Sequence, residues 1–279
     1  MEEGPVSTDT RFAYAEAFDR NVGWLTEAEQ AALRGKRVAI AGCGGVGGAH
    51  LLALARLGIG AFNLADMDVF ELANFNRQVG ATMATLGRPK VEVMAEMARE
   101  INPELDLRIF EEGVQDETVA AFLDDADLFV DGFDFHAIAI RRRVFAAARA
   151  RGIPAMTAGP IGLGAAFVIF RPDAMSFDEY FRMGDDDQAT LEAKFLDGLV
   201  PEAWHRDYLM VPERFDLARK RAPSIGATCL MCAGIVGITA IKLLTGRGEV
   251  LAAPWHHNFD PFRNAYLVEP RPGAAAAAR

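Results

Sequence analysis

Gly42, Gly44 and Gly47 form a G-x-G-x-x-G run, and its setting in the chain restricts the fold more than any other feature. The run follows Lys36-Arg37-Val38-Ala39-Ile40-Ala41, which has the apolar content of a buried strand, and leads into a helix-forming stretch from Ala49 to Leu57. Between a strand and a helix, missing side chains let backbone N–H groups approach phosphate at the helix N-terminus. Asp66 ends the next strand, 61–65, where a carboxylate is placed to accept hydrogen bonds from ribose hydroxyls. These features specify an adenine nucleotide and leave ATP and NAD both open.

The strand–helix alternation then continues. The pattern predicts a helix over 89–101, a strand over 105–110, a helix over 117–123, a strand over 127–131, a helix over 137–151, and strands over 153–157 and 164–170. Such alternation implies the α/β class, with a doubly wound, mainly parallel Rossmann-like sheet and right-handed crossovers. Residues 1–35 read as an N-terminal arm and a short helix opened by the capping-box pair Thr26 and Glu29. The nucleotide-binding core then spans 36–170. Residues 171–224 turn polar and aromatic without a clear period, and read as an insertion over the active face. A long helix (225–244) and one or two strands complete the same domain by 269, and the alanine-rich tail 270–279 is expected to be disordered.

With 29 Lys and Arg against 39 acidic residues, the net charge of −10 disfavours a general electrostatic hold on nucleic acid. Three unevenly spaced cysteines do not make a disulfide framework, and the N-terminus lacks the basic-then-apolar pattern of a secretory signal, so a cytoplasmic location is expected. The uncharged run from Ile225 to Ile241 approaches membrane-spanning length. Its Gly226, Ala227, Gly234 and Gly237 instead suit close packing in a core, so no membrane is expected.

A triphosphate needs more cationic partners than a dinucleotide, and after Asp66-Met67-Asp68 the chain supplies Asn74-Phe75-Asn76-Arg77-Gln78 and Gly87-Arg88-Pro89-Lys90. The glycine loop, Asp66-x-Asp68, Asn74-x-Asn76-Arg77-Gln78 and Pro89-Lys90 follow one another in the order and spacing of the ThiF/MoeB/HesA (ubiquitin-activating-enzyme-like) family. The chain resembles that family from about Asp19 to Thr157 and again over Ala240-Ile241-Lys242-Leu243-Leu244. The resemblance implies an ATP-dependent adenylyltransferase acting on a carboxylate, such as the C-terminus of a small ubiquitin-like carrier protein or a peptide. It implies that Gly42, Gly44, Gly45 and Gly47 cradle phosphate, Asp66 holds ribose, Arg77 and Lys90 hold the phosphates, and Asn74 and Gln78 orient them.

Asp134 occupies the family's magnesium position, which suits a hard cation beside phosphate. Asp68 either shares that metal or caps a loop. Arg20 resembles an arginine that relatives extend across a twofold interface, implying a homodimer with composite sites. Two positions depart from the pattern: Phe135 follows the metal aspartate where a polar residue is usual, and Cys43 sits inside the glycine loop. A nicotinamide oxidoreductase and an inactive nucleotide-binding interaction protein are the rival readings; the first does not explain the cationic cluster, and the second does not explain why Arg77, Lys90 and Asp134 are present.

Cys229 and Cys232 form a C-x-x-C pair without a second pair to complete a zinc site, so they read as small buried residues. His136 reads as a residue at a helix start.

Overall fold

The computed structural model describes residues 11–216 and 222–273. Nine helices among them are α1 (Tyr14–Ala17), α2 (Glu27–Arg34), α3 (Gly45–Arg56), α4 (Lys90–Ile101), α5 (Val119–Phe122), α6 (Ile138–Ala150), α7 (Phe177–Phe181), α8 (Gln188–Leu199) and α9 (Gly226–Thr245). The strands are β1 (Arg37–Ala41), β2 (Ala61–Ala65), β3 (Asp106–Phe110), β4 (Leu128–Asp131), β5 (Ala155–Ile161), β6 (Gly164–Phe170), β7 (Trp255–Asp260) and β8 (Ala265–Pro270).

They form one sheet in the order β3-β2-β1-β4-β5-β6-β7-β8. Strands β1 to β5 are parallel, and β6, β7 and β8 extend the sheet antiparallel. Every residue of β1 is buried, as expected for a parallel strand covered on both faces. One face carries a core of Val38, Ile40, Leu51, Leu54, Met94 and Val236 under α3, α4 and α9; the other packs Ala39, Phe129, Phe145, Phe170 and Phe177 under α5 to α8. The chain reverses direction across the sheet between β1 and β4, so the crevice beyond their carboxyl ends is the place where such sheets bind ligands.

Helix α9 is long and apolar enough to cross a membrane by length and composition. In the fold it lies against α3, β4, β5 and β6. Its buried positions, Thr228, Cys229, Cys232, Ala233, Val236, Thr239 and Ala240, recur at helical spacing on one face.

Residues 171–224 are more regular than the absence of a clear period suggests. Ser176 and Glu179 make a capping box that opens α7, and the Asp187 carboxylate accepts the Thr190 N–H to open α8. Both helices pack on the outer face, and the end of α8 (Phe195, Leu196 and Leu199) together with the stretch from about 200 onward borders the crevice. The expected disorder of 270–279 is also corrected at its start. Pro270 belongs to β8, and the buried Arg271 donates its N–H to Pro254 O (2.8 Å) and its guanidinium to Asp197 (3.1 Å). Residues 274–279 lie outside the described residues.

Candidate active site

The three motif glycines have different reasons to be glycine. Gly42 has φ +91°, and a Cβ there would fall 2.1 Å from Gly132 O; a Cβ on Gly47 would fall 1.8 Å from Gly42 O. These two are demanded by the packing of the loop on itself and on the end of β4. At Gly44 a Cβ would meet only Gln78 Nε2 at 3.6 Å, an ordinary contact, so the protein's own packing leaves the backbone approachable there. Helix α3 begins at Gly45, earlier than the Ala49 expected, and its N-cap Gly44 supplies no side-chain cap. The N–H groups of its first turn are therefore turned to the crevice without a side-chain acceptor, the arrangement that favours an anion.

Asp66 braces this loop. Its carboxylate accepts the Cys43 N–H (2.6 Å) and the Asp68 N–H (2.8 Å), while partial burial raises its pKa against the lowering effect of those bonds. Lys90 Nζ, on a side chain only 8% exposed, pairs with Asp68 Oδ2 at 2.9 Å. Asp68 is thus the ion-pair partner of Lys90.

Arg77 Nη1 donates to Ala73 O and to Asn76 Oδ1, both at 2.9 Å. Asn76 in turn donates to Ser224 O (2.7 Å), tying the turn to the segment before α9. Asn74 and Gln78, expected to orient the phosphate ligands, make no side-chain hydrogen bond to Arg77 or Lys90 among the described residues. Asn74 Oδ1 accepts the Glu71 N–H (2.9 Å) and shapes its own turn, and Gln78 lies buried beside Gly44 with its Oε1 unpaired among the described residues. A short side chain such as that of Asn74, so close to its own backbone, is captured by it.

Across the crevice, a cavity of about 480 Å³ is lined by Gly45, Arg77, Asp131, Asp134, Thr157 and Cys229, among others. Asp134 is exposed and does not cap α6, whose N-cap is Ala137. Among the described residues no three His, Cys, Asp or Glu side chains converge on a metal position. One exposed carboxylate facing a phosphate site is the donor set that magnesium takes when substrate phosphates supply its other ligands.

Arg20 is exposed in a short turn at the far end of α3, where its neighbour Asn21 donates to Leu57 O (3.3 Å). Twelve residues of helix, roughly 18 Å at ~1.5 Å per residue, separate that end from the glycine loop. The fold therefore does not bring Arg20 to the site of its own chain.

The three thiols are buried. Burial raises the pKa of Cys43, Cys229 and Cys232, and for Cys229 a hydrogen bond from Ser224 and the charge of Arg77 only partly oppose it. His256 and His257 do not join the cysteines: His256 pairs with Glu202 (2.7 Å), and His257 contacts Leu251 O (2.9 Å).

The sequence profile of the ThiF family matches residues 18–277. This chain belongs to the ThiF family. It is similar to the tRNA threonylcarbamoyladenosine dehydratase of Escherichia coli K12, with 37% identity over 126 residues, 45% of this chain and 46% of that protein. It is similar also to the molybdopterin-synthase adenylyltransferase of the same organism, with 33% identity over 141 residues, 50% and 56% of the two chains. These matches span about half the length of the curated relatives. Among solved structures, PaaA superposes with a TM-score of 0.71 at 20% identity, over 95% of this chain and 85% of that one. E. coli MccB with ATP gives 0.69 at 20% identity, over 95% and 72%. At such identities these structures show a shared fold.

Two residues of this ThiF-family site carry more structure than the sequence motifs assign them. Arg141 is buried among Asp131 Oδ2 (2.8 Å), Phe133 O (2.9 Å) and Asp134 O (2.9 Å), and so holds the loop that presents Asp134. Its signal was its place on the buried stripe Ile138, Arg141, Val144, Phe145 and Ala148 of α6, unlike Arg142 and Arg143 beside it. His136 lies before α6 on the cavity wall, with Nδ1 2.9 Å from Glu192 Oε1 of α8. No local spacing signals that pair, because its partners lie on different elements.

Proposed function

We propose that this chain is an ATP-dependent adenylyltransferase that activates the terminal carboxylate of a protein or peptide. The observation that carries the reading is that one crevice, at the switch point of the sheet, gathers the start of α3, Arg77 and Asp134. In the reaction a carboxylate oxygen attacks the α-phosphorus of ATP and the bond from that phosphorus to the bridging oxygen breaks. The pyrophosphate leaves with the electron pair, and an acyl-adenylate remains. Arg77 and Lys90 offset the charge gathering on the leaving group, and the N–H groups of the α3 start bind phosphate. Magnesium, held by Asp134 and the phosphates, would supply further neutralisation.

The names of the relatives fit this reading, including a sulfur carrier protein ThiS adenylyltransferase and MccB structures with ATP and with MccA. The tRNA dehydratase relative points to another carboxylate carrier; the net charge of −10 favours a protein or peptide. A homodimer belongs to the reading, since Arg20 serves a nucleotide only from a neighbouring copy, and so does the cytoplasm, where free thiols persist.

The test is exchange of labelled pyrophosphate into ATP in the presence of candidate carboxylates, with calorimetric titration of ATP and NAD beside it. Carboxylate-dependent exchange is expected. Tight NAD binding with no ATP binding and no exchange would defeat the reading.

A further inference from the structure

The cavity that Arg77 and Asp134 line also carries a run of apolar side chains. Its lining includes Gly45 and Arg77 but neither Asp66 nor Lys90, so it extends away from the ribose side, over β4 and β5. The end of β5 closes it: a Cβ on Gly159 would already be in van der Waals contact with Leu199 Cδ1 at 3.7 Å and Ile161 Cδ1 at 3.9 Å. Its walls are Phe135, Ile161, Phe195, Leu196, Leu199 and Phe215. Phe195 and Leu199 are buried, and the Phe195 ring packs at a tilt against Phe135 with centroids 5.6 Å apart, so the wall is fixed rather than a collection of free side chains. Arg141, the other cation on this wall, is already engaged with Asp131 and three backbone carbonyls.

A terminal glycine would leave these walls in contact with water, and apolar walls gain only when an apolar group displaces that water. The start of α3 and Arg77 place the α-phosphate at one end of this cavity, so the attacking carboxylate enters from the apolar side and the α-carbon beside it directs a side chain toward those walls. We infer that the carboxylate activated here belongs to a peptide C-terminus whose last residue carries a bulky apolar side chain, seated in the cavity against Phe135, Ile161 and Leu196. This rests on the adenylyltransferase reading and narrows its substrate.

The test uses the full chain and three probes: N-acetyl-glycyl-leucine, N-acetyl-glycyl-glycine and 3-phenylpropanoate. In pyrophosphate exchange the leucyl peptide should exceed the glycyl peptide in kcat/KM by at least about tenfold, the scale set by burying several methylene groups. Leu196→Asn and Ile161→Asn, each of which makes the wall polar, should shrink that ratio toward one. The ratio is taken within a single protein preparation and does not move with the fraction folded. Equal or better use of the glycyl peptide would overturn the inference while leaving adenylation intact. Phenylpropanoate used as well as the leucyl peptide would overturn the peptide terminus in favour of a free acid. If no carboxylate supports exchange, adenylation itself fails, and calorimetry with the α,β-methylene analogue of ATP still reads the pocket: preferential binding of the leucyl peptide upholds it, and equal binding of both peptides removes it.

Discussion

Replacing Arg141 with methionine keeps the length and apolar contacts of the side chain and removes its charge and donors. Asp131 then loses the guanidinium at 2.8 Å and keeps only the Phe133 N–H at 3.0 Å, with both side chains of the original pair 2% exposed. Breaking so buried a pair by removing one partner costs about 3–5 kcal/mol, because the remaining charge is stranded. The carbonyls of Phe133 and Asp134 also lose their donor, but at a partly exposed loop where water replaces it, so they add less. Urea unfolding followed by tryptophan fluorescence should therefore show a loss of about 3–5 kcal/mol. Adding Asp131→Asn should recover at least about 1 kcal/mol, since a neutral amide is cheaper to leave unpaired than a carboxylate and still accepts the Phe133 N–H. A loss under about 1 kcal/mol in Arg141→Met, or a double variant no more stable than Arg141→Met, would refute this account of the loop.

His50 is fully buried in α3 with neither ring nitrogen bonded among the described residues, and burial pulls its pKa from 6.5 down to about 3. Below pH 6.5 the unfolded chain takes up a proton that the folded chain refuses, so stability falls as pH drops toward 3, by about 1.4 kcal/mol per unit. Between pH 7.5 and 5.0 the wild type should lose about 2 kcal/mol more than His50→Leu in urea unfolding; equal losses would contradict it. Lys90→Ala and Asp134→Ala should each slow pyrophosphate exchange by about 10² to 10³ while melting normally, since Asp68, 58% exposed, is not stranded without Lys90. Unchanged exchange would remove both residues from the chemistry. Mixing Arg20→Ala with Lys90→Ala subunits should restore part of the activity lost in each, and a fully active monomer at dilution would rule out shared sites. Cys229→Ser and Cys232→Ser should retain exchange and form no thiol-sensitive adduct with substrate, because burial holds both thiols protonated; an adduct on a gel that either substitution abolishes would show otherwise.

What the sequence determined by itself was local. The buried run of β1, the glycines after it and Asp66 at the end of β2 are near one another along the chain, and each has a backbone reason that no distant contact alters. That suffices for the sheet, its parallel half and the nucleotide crevice. The same locality explains why α7 and α8 went unread in 171–224: the capping residues Ser176 and Asp187 were present, but α7 is five residues long and takes its stability from Phe145, Phe170 and Phe195, which lie on other elements. Only the tertiary structure decided that Arg141 takes Asp131 as its partner, that Asp68 pairs with Lys90, and that Arg20 lies at the opposite end of α3 from the glycine loop of its own chain. A charge on a helix is assigned its role by what the neighbouring elements bring against it. Spacing along the chain fixes the face it occupies, and packing between elements fixes its partner.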